Sequence, residues 1–257
     1  MKLVIKKRWV LLLIIFVILV FCFLQPHDPY HMNSEKILSS PSSSHWFGTD
    51  RLGRDLFSRT GLALRRTLLR AGTAEILSFT VAFLLSVIAQ IYLVRFRWIS
   101  SLLQRTVRLI PPLLFLFGLA VWTRGTKTGA FLGLFSISFI FAWPVFNAEI
   151  ISNCVAPHVE GTIALGASPS YIIKYIIAPA SLPRLKEYAR LDFASLIAFE
   201  AFMGMAGIDN PPYPSLGNMI YQGRHSIVSD SIWLFLFPTL VFATILFIIY
   251  SIKIFKK

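Results

Sequence analysis

Long apolar stretches separated by short polar ones run the length of the chain. Uncharged apolar runs occupy 9–24, 76–94, 109–123, 129–148 and 231–252, and a sixth, 191–208, is interrupted only by Asp192 and Glu200. A helix needs about 20 such residues, within about 17–25, to cross a hydrocarbon core ~30 Å thick. Three of the runs reach that length unaided. The run at 9–24 borrows Gln25, and 109–123 extends backward through 98–108, whose arginines reach toward the interface. The pattern predicts six spans. Basic residues precede the first, but its apolar stretch exceeds the ~7–15 residues of a signal-peptide core and meets no small-x-small site before Gln25-Pro26, so it is expected to stay as a span.

Composition supports a membrane chain. Apolar residues make up 56% of the 257 and charged residues 14%, against roughly 45–50% and about 25% in ordinary globular chains. Mean hydropathy is +0.68. Disorder, collagen and a disulfide scaffold are excluded on the same grounds, and Cys22 and Cys154 stand too far apart for a zinc or disulfide framework.

The net charge of +13 would suggest nucleic acid on a soluble protein, yet no nucleic-acid-binding signature accompanies it. On a membrane chain, Lys and Arg gather in cytoplasmic loops. With the N-terminus inside, 15 of them fall on the cytoplasmic side and 10 outside. Six of the 10 form a cluster, Arg51, Arg54, Arg59, Arg65, Arg66 and Arg70, partly offset by Asp50 and Asp55. Both termini are expected in the cytoplasm. Asp50 with Arg54 and Asp55 with Arg59 stand four apart and can pair on a helix, the cluster then forming a self-paired interfacial helix ahead of the second span or, alternatively, a contact surface for a partner protein.

Residues 155–183 read as a compact knob. Glu160 to Leu165 can form a short helix, and Gly166 permits the positive φ that ends it. Ser168 followed by Pro169 signals a new helix start. That helix, about 169–177, is rich in Ile and Tyr, and Pro179 and Pro183 are expected to close it. The product is a rigid unit with an apolar face suited to a partner's groove.

The spacing of Glu160, Gly166, Ile176 and Pro179 resembles the EAA loop of ABC-importer permeases, E-A-A-x3-G-x9-I-x-L-P, with Gly161 and Thr162 in place of the alanines and Ala178 in place of leucine. HWFGTDRLGRDLFSR at 45–59 resembles the segment after the first span in the dipeptide/oligopeptide/nickel branch, and GIDNPPYPSLGNMI at 207–220 resembles the loop between its fifth and sixth spans. On these three motifs the chain is identified as a member of that family, of its C-type permease.

The resemblance implies an all-α membrane protein with six transmembrane helices, the type I ABC-importer permease fold, and cytoplasmic N and C termini. Residues 1–26 would hold the N-terminus and first span, 27–71 an extracytoplasmic segment with the GTDxxGRD motif, and 72–257 a five-span core with its coupling loop at 155–183. The coupling residues would be Glu160, Gly161, Thr162, Gly166, Ala167, Ser168, Ile176 and Pro179. The outer motif would be Gly48, Thr49, Asp50, Gly53, Arg54 and Asp55. The implied function is the pathway, shared with a second permease, for short peptides, or alternatively for nickel or a metal–chelator complex. The other implied partners are two ATPase subunits, which hold ATP and Mg, an extracytoplasmic substrate-binding protein and lipid. The implied site is the bacterial inner membrane. The family's usual tail after the sixth span is absent, and the third span shows Arg105 and Arg108 where an acidic residue is common.

Glu200 is read as the carboxylate deep in an apolar span, either packing between helices or gating the pathway. Glu75 is expected at a membrane rim. His27, His31 and His45 are read as solvated loop histidines in preference to a metal relay, because no carboxylate or cysteine completes a metal shell with them. No cofactor or metal is expected on this chain. It shows no catalytic constellation and no GxxxxGK[ST] phosphate loop, so it is not expected to be an enzyme. The remoter alternative, a secondary transporter, would be expected to show internal repeats, and none is found.

Overall fold

The computed structural model describes residues 16, 18, 20–92, 97–107, 109, 111–122, 126–207, 213–226 and 230–251. Most of the first predicted span, residues 208–212 of the third motif and both chain ends lie outside them. Among the described residues the fold is helical, with one isolated antiparallel bridge, Thr49 to Asp55.

Helix α1, Leu56–Val87, starts where Asp55 caps it. Asp55 Oδ2 accepts from Ser58 N at 2.8 Å, satisfying a backbone donor that has no partner inside the helix. At 1.5 Å per residue the helix is about 48 Å long. It begins well before the predicted span at 76–94, so the expected separate interfacial helix does not form. A π turn, Ile88–Tyr92, extends it.

The single helix expected for the third span is two. Helices α2, Arg97–Val107, and α3, Pro112–Trp122, have 11 residues each, about 17 Å and too short to cross a ~30 Å core alone. Pro111-Pro112 divides them, since a proline pushes the preceding residue out of helical conformation and brings no donor. Helix α4, Lys127–Cys154, passes Pro144 unbroken.

Next come α5, Pro157–Ala164, and α6, Pro169–Ile172. A π turn, Ile173–Ile177, then leads straight into α7, Ala178–Met205. Pro179 and Pro183 therefore do not close the second knob helix. Ala178 N bonds to Ile173 O across the widened turn. The extra residue accommodates Pro179, whose ring and missing donor a regular helix interior tolerates poorly. Helix α8, Leu216–Gly223, is capped by the Ser215 side chain, and α9, Trp233–Ser251, carries Pro238 within it.

Leu56–Gln90, Thr128–Cys154 and Trp233–Ser251 are long and apolar enough to cross a membrane. Their outer faces carry bare apolar side chains such as Ile76, 68% exposed, and Phe247, 72% exposed, as lipid contact demands. Helix α7 has the length but is studded with charge from Arg184 to Glu200.

The chain divides into two compact units. The first comprises Met1–Ala71, Arg124–Ala130 and Ile197–Lys257, the second Gly72–Thr123 and Phe131–Leu196. In the first, α8 lies against the end of α7 so closely that a Cβ on Gly217 would overlap Ala201 O. In the second, Ala82 and Ala142 are fully buried beside Phe146, with Phe79, Phe83 and Trp143 around them. Small residues there let α1 and α4 approach, as membrane helices require when packing rather than water drives association.

Candidate coupling site

The knob is built from local rules. Pro157 opens α5, and Gly166 follows it with φ 83°, a conformation L side chains rarely adopt. Gly166 N bonds to Ile163 O and Ala167 N to Thr162 O, which satisfies carbonyls at the helix end. Ser168 then caps α6, its hydroxyl accepting from Tyr171 N at 3.3 Å, with Pro169 in the first helical position.

One side of the knob is anchored. Val159, Ile172 and Ile177 are buried with Val87 of α1 and Ile150 of α4, and Ile176 and Ala167 pack against that cluster. Other apolar side chains of the knob are exposed. Leu165 is 90% exposed and Tyr175 58%, Ile163 and Tyr171 are exposed as well, and the Tyr171 and Tyr175 rings stand 5.0 Å apart with Lys174 Nζ over Tyr175. Glu160, Gly161, Gly166, Ser168 and Pro179 are also exposed, and Thr162 is half-buried, its hydroxyl donating to His158 O at 2.7 Å. The knob thus combines a fixed base with exposed apolar side chains.

In the first unit, 45–59 folds into a self-bonded turn. Asp50 is its hub: Oδ1 accepts from Leu52 N and Arg54 N at 2.9 and 3.0 Å, and Oδ2 meets Arg54 Nε at 2.7 Å and Arg59 Nε at 3.4 Å. Gly53 has φ 70°, and a Cβ there would overlap Asn33 O. Thr49 is fully buried, accepting from Ser39 N and donating to Lys36 O. Trp233 Nε1 donates to Thr49 O at 3.4 Å, and Phe47 stacks on Phe237 of α9 at 4.1 Å. The expected Asp50–Arg54 pair forms. The expected Asp55–Arg59 pair does not, because Arg59 turns to Asp50 and to Pro29 O while Asp55 takes His45 Nδ1 at 2.9 Å. The histidine was expected to be solvated and without a carboxylate; it is half-buried against one.

Glu200 is 1% exposed. Its Oε2 accepts from Thr67 Oγ1 at 2.7 Å and its Oε1 meets Arg70 Nη1 at 3.3 Å, so it ties α7 to α1 within the first unit.

The second unit holds polar groups that the apolar pattern concealed. Ser138 Oγ donates to Asp192 Oδ2 at 2.6 Å and also meets Ser78 Oγ. Gln90 Nε2 donates to Asn147 Oδ1 at 2.8 Å. Glu200 is accordingly not the lone buried carboxylate. Glu75, expected at a rim, has Oε1 buried without a hydrogen-bond partner among the described residues. A cleft of about 720 Å³ opens beside Gln104, Arg105, Asn147, Glu149 and Arg184, with Arg184 Nη1 3.0 Å from Glu149 Oε2.

No protein-family model matches the chain. It is 31% identical over 237 residues to a putative peptide permease of Brucella suis, an alignment covering 88% of this chain and 75% of that one. The chain belongs to the peptide-permease family. It is also similar to a probable D,D-dipeptide transport system permease, DdpC, of Escherichia coli K12, at 27% identity over 89% of this chain and 77% of that protein. With the dipeptide permease DppC of Bacillus subtilis it shares 26% identity over 92% of its own length and 74% of the relative's. Among solved structures, the inward-facing MetNI methionine ABC transporter superposes with a TM-score of 0.59 at 19% identity, covering 74% of this chain and 91% of that one. The permease thus has the fold of an ABC-importer membrane subunit and is a membrane-embedded component of such a transport system.

Within the permease, the eight residues expected to couple lie on one knob, and the six of the GTDxxGRD motif form one turn. Ser78, Gln90, Ser138 and Asn147, which the apolar pattern does not single out, share one signal with Asp192: a polar side chain inside an otherwise apolar run.

Proposed function

We propose that the permease is one of two pathway subunits of an ATP-driven importer of short peptides in a bacterial inner membrane. In this reading six spans cross the membrane and both termini are cytoplasmic. Residues 155–183 project toward two ATPase subunits, which hold ATP and Mg; the permease has no nucleotide site of its own. Residues 27–71 face the outside, where a substrate-binding protein delivers peptide.

The observation that carries the reading is the knob's double character. Ile163, Leu165, Tyr171 and Tyr175 of the knob are exposed, while its base is locked to α1 and α4. Exposed apolar side chains on a rigid base suit a permanent protein partner. Because α6 runs through the π turn into α7 without a loop, a push on the knob reaches a spanning helix directly. Closure of the ATPases would thereby rock the spans, and reopening would reset them.

The reading is tested with Leu165→Asp. The side chain is 90% exposed, so the substitution leaves the fold alone but places a charge where apolar area should be covered. Burying a leucine contributes about 1.5–3 kcal/mol, so ATPase co-purification should fall by about ten-fold or more. Peptide-stimulated ATP hydrolysis in liposomes should fall with it. Full association and full stimulation would refute the assignment.

A further inference from the structure

We propose that His27, His45 and Asp55 form a binding site for a divalent first-row transition metal of the zinc, cobalt and nickel group. The three come from separate points of the chain: His27 after the first helical stretch, His45 ahead of the GTDxxGRD turn, and Asp55 at the start of α1. One ligand atom from each lies within 4.8 Å of the other two. His45 Nδ1 is 2.9 Å from Asp55 Oδ1, and the His27 and His45 rings stand 4.7 Å apart at 39°.

Neighbouring hydrogen bonds set up the donors. His27 Nε2 lies 2.7 Å from Ser44 O, and a carbonyl only accepts, so the proton sits on Nε2 and Nδ1 keeps its lone pair. A ligating histidine needs this arrangement: its second nitrogen held by a carbonyl that fixes tautomer and ring. The oxygens of Asp55 are already divided. Oδ2 caps α1 through Ser58 N, and Oδ1 is bonded to His45 Nδ1, the contact that a metal held by one oxygen and one nitrogen would replace. When the metal enters, the proton on His45 Nδ1 moves to Nε2, as neutral imidazole permits.

Two imidazoles and one carboxylate suit zinc and its neighbours, and leave the fourth tetrahedral position open. Bonds of about 2.0–2.1 Å put tetrahedral donors about 3.4 Å apart, so the three ligand atoms, within 4.8 Å of one another, must draw together around the ion. The surrounding cavity, about 270 Å³, is lined also by Asp28, His31 and Lys36. It has room for a water or His31 as fourth ligand, and the flexible Lys36 ammonium can turn to solvent. A metal here would pin the chain at residue 27 to the turn and to the cap of α1. It would stabilise that segment in proportion to its occupancy.

The proposal is independent of the peptide-import reading and is tested by binding alone. The intact transporter, carrying a purification tag without histidines, is stripped with chelator, equilibrated with zinc, and assayed by elemental analysis. One extra zinc per permease chain is expected. His27→Ala and His45→Ala should each weaken it about ten-fold or more, as losing a ligand or its support does. Asp55→Asn should do the same while keeping the cap, because asparagine caps helices as well as aspartate. His225→Ala, away from the cluster, should leave binding unchanged. Cobalt on the unmutated transporter should give the visible absorption of a tetrahedral site, a readout that needs no variant to fold. Zinc uptake that is the same in all variants, or cobalt spectra of the hydrated ion only, would overturn the proposal.

Discussion

Arg70 Nη1 lies 3.3 Å from Glu200 Oε1, joining residues 130 apart in sequence across the α1–α7 contact of the first unit. With Thr67 on the other oxygen, the carboxylate is held by two groups of one helix. Both contacts fit the packing alternative for Glu200. Removing one member of a buried charged pair strands the other, at a cost of about 3–5 kcal/mol when burial is complete and less when one partner is partly open, as Arg70 is here.

Glu200→Gln should therefore lower the melting temperature of the purified complex, although the amide keeps the shape. Arg70→Met should do likewise. The double variant should recover part of the loss, with a coupling of about 1–3 kcal/mol in a double-mutant cycle. Strictly additive losses would show that the pair does not stabilise the fold. Transport lost at unchanged stability would point to a gate instead.

Two glycines should respond to alanine with opposite signs. Gly161 lies inside α5 and a Cβ there meets nothing within 4 Å. Gly161→Ala should stabilise the knob by about 0.5–1 kcal/mol, the helix penalty of glycine. Gly217 belongs to the third family motif and stands where a Cβ overlaps Ala201 backbone. Gly217→Ala should cost about 1–3 kcal/mol, as overpacking does. Hydrogen exchange over 157–164 reads the first, and thermal unfolding of the complex reads the second. Gain at both positions or loss at both would contradict the packing described.

What the sequence made legible was local. Gly166, Ser168 and Pro169 act on their immediate neighbours, so the break between α5 and α6 could be read from spacing. Proline rules misjudged Pro179 because the π turn before it is a compensation that residue identity does not announce. Asp55 was paired with Arg59 on helical spacing, but the chain doubles back and delivers His45 to it. The partners of Glu200, and Ser138 which donates to Asp192, lie in other helices, beyond any periodicity. Buried serines such as Ser78 and Ser138 look like ordinary residues of an apolar run until the fold joins them to each other and Ser138 to the Asp192 carboxylate.

The proposed topology has a direct test. Ser42 and Ser170 are both exposed, whereas Ser181 is buried and bonded to Asn153, so the first two are the positions to label. In a background with Cys22 and Cys154 replaced by serine, Ser42→Cys should react with an impermeant maleimide added outside intact cells. Ser170→Cys should react only after the membrane is opened. Both reacting from the same side would reverse the orientation assigned to the knob.

Gly166 offers the sharpest separation of shape from contact. Its φ of 83° is left-handed, and a Cβ there would meet no atom within 4 Å. Any effect of substitution on the turn is torsional, not steric. For an L residue with a Cβ that conformation costs roughly 1–2 kcal/mol, and it is worst for β-branched side chains, while asparagine tolerates it. Gly166→Val should relieve the strain by rotating α6 relative to α5, which moves Tyr171 relative to Leu165 and reshapes the exposed apolar surface of the knob. Gly166→Asn should hold the turn. In co-purification, the valine variant should lose ATPase subunits by about ten-fold, corresponding to ~1.4 kcal/mol, while the asparagine variant stays within about two-fold of the parent. The second permease should remain bound to both, because the spans are untouched. If the valine variant binds the ATPases as the parent does, the angle between α5 and α6 is not what the ATPase reads.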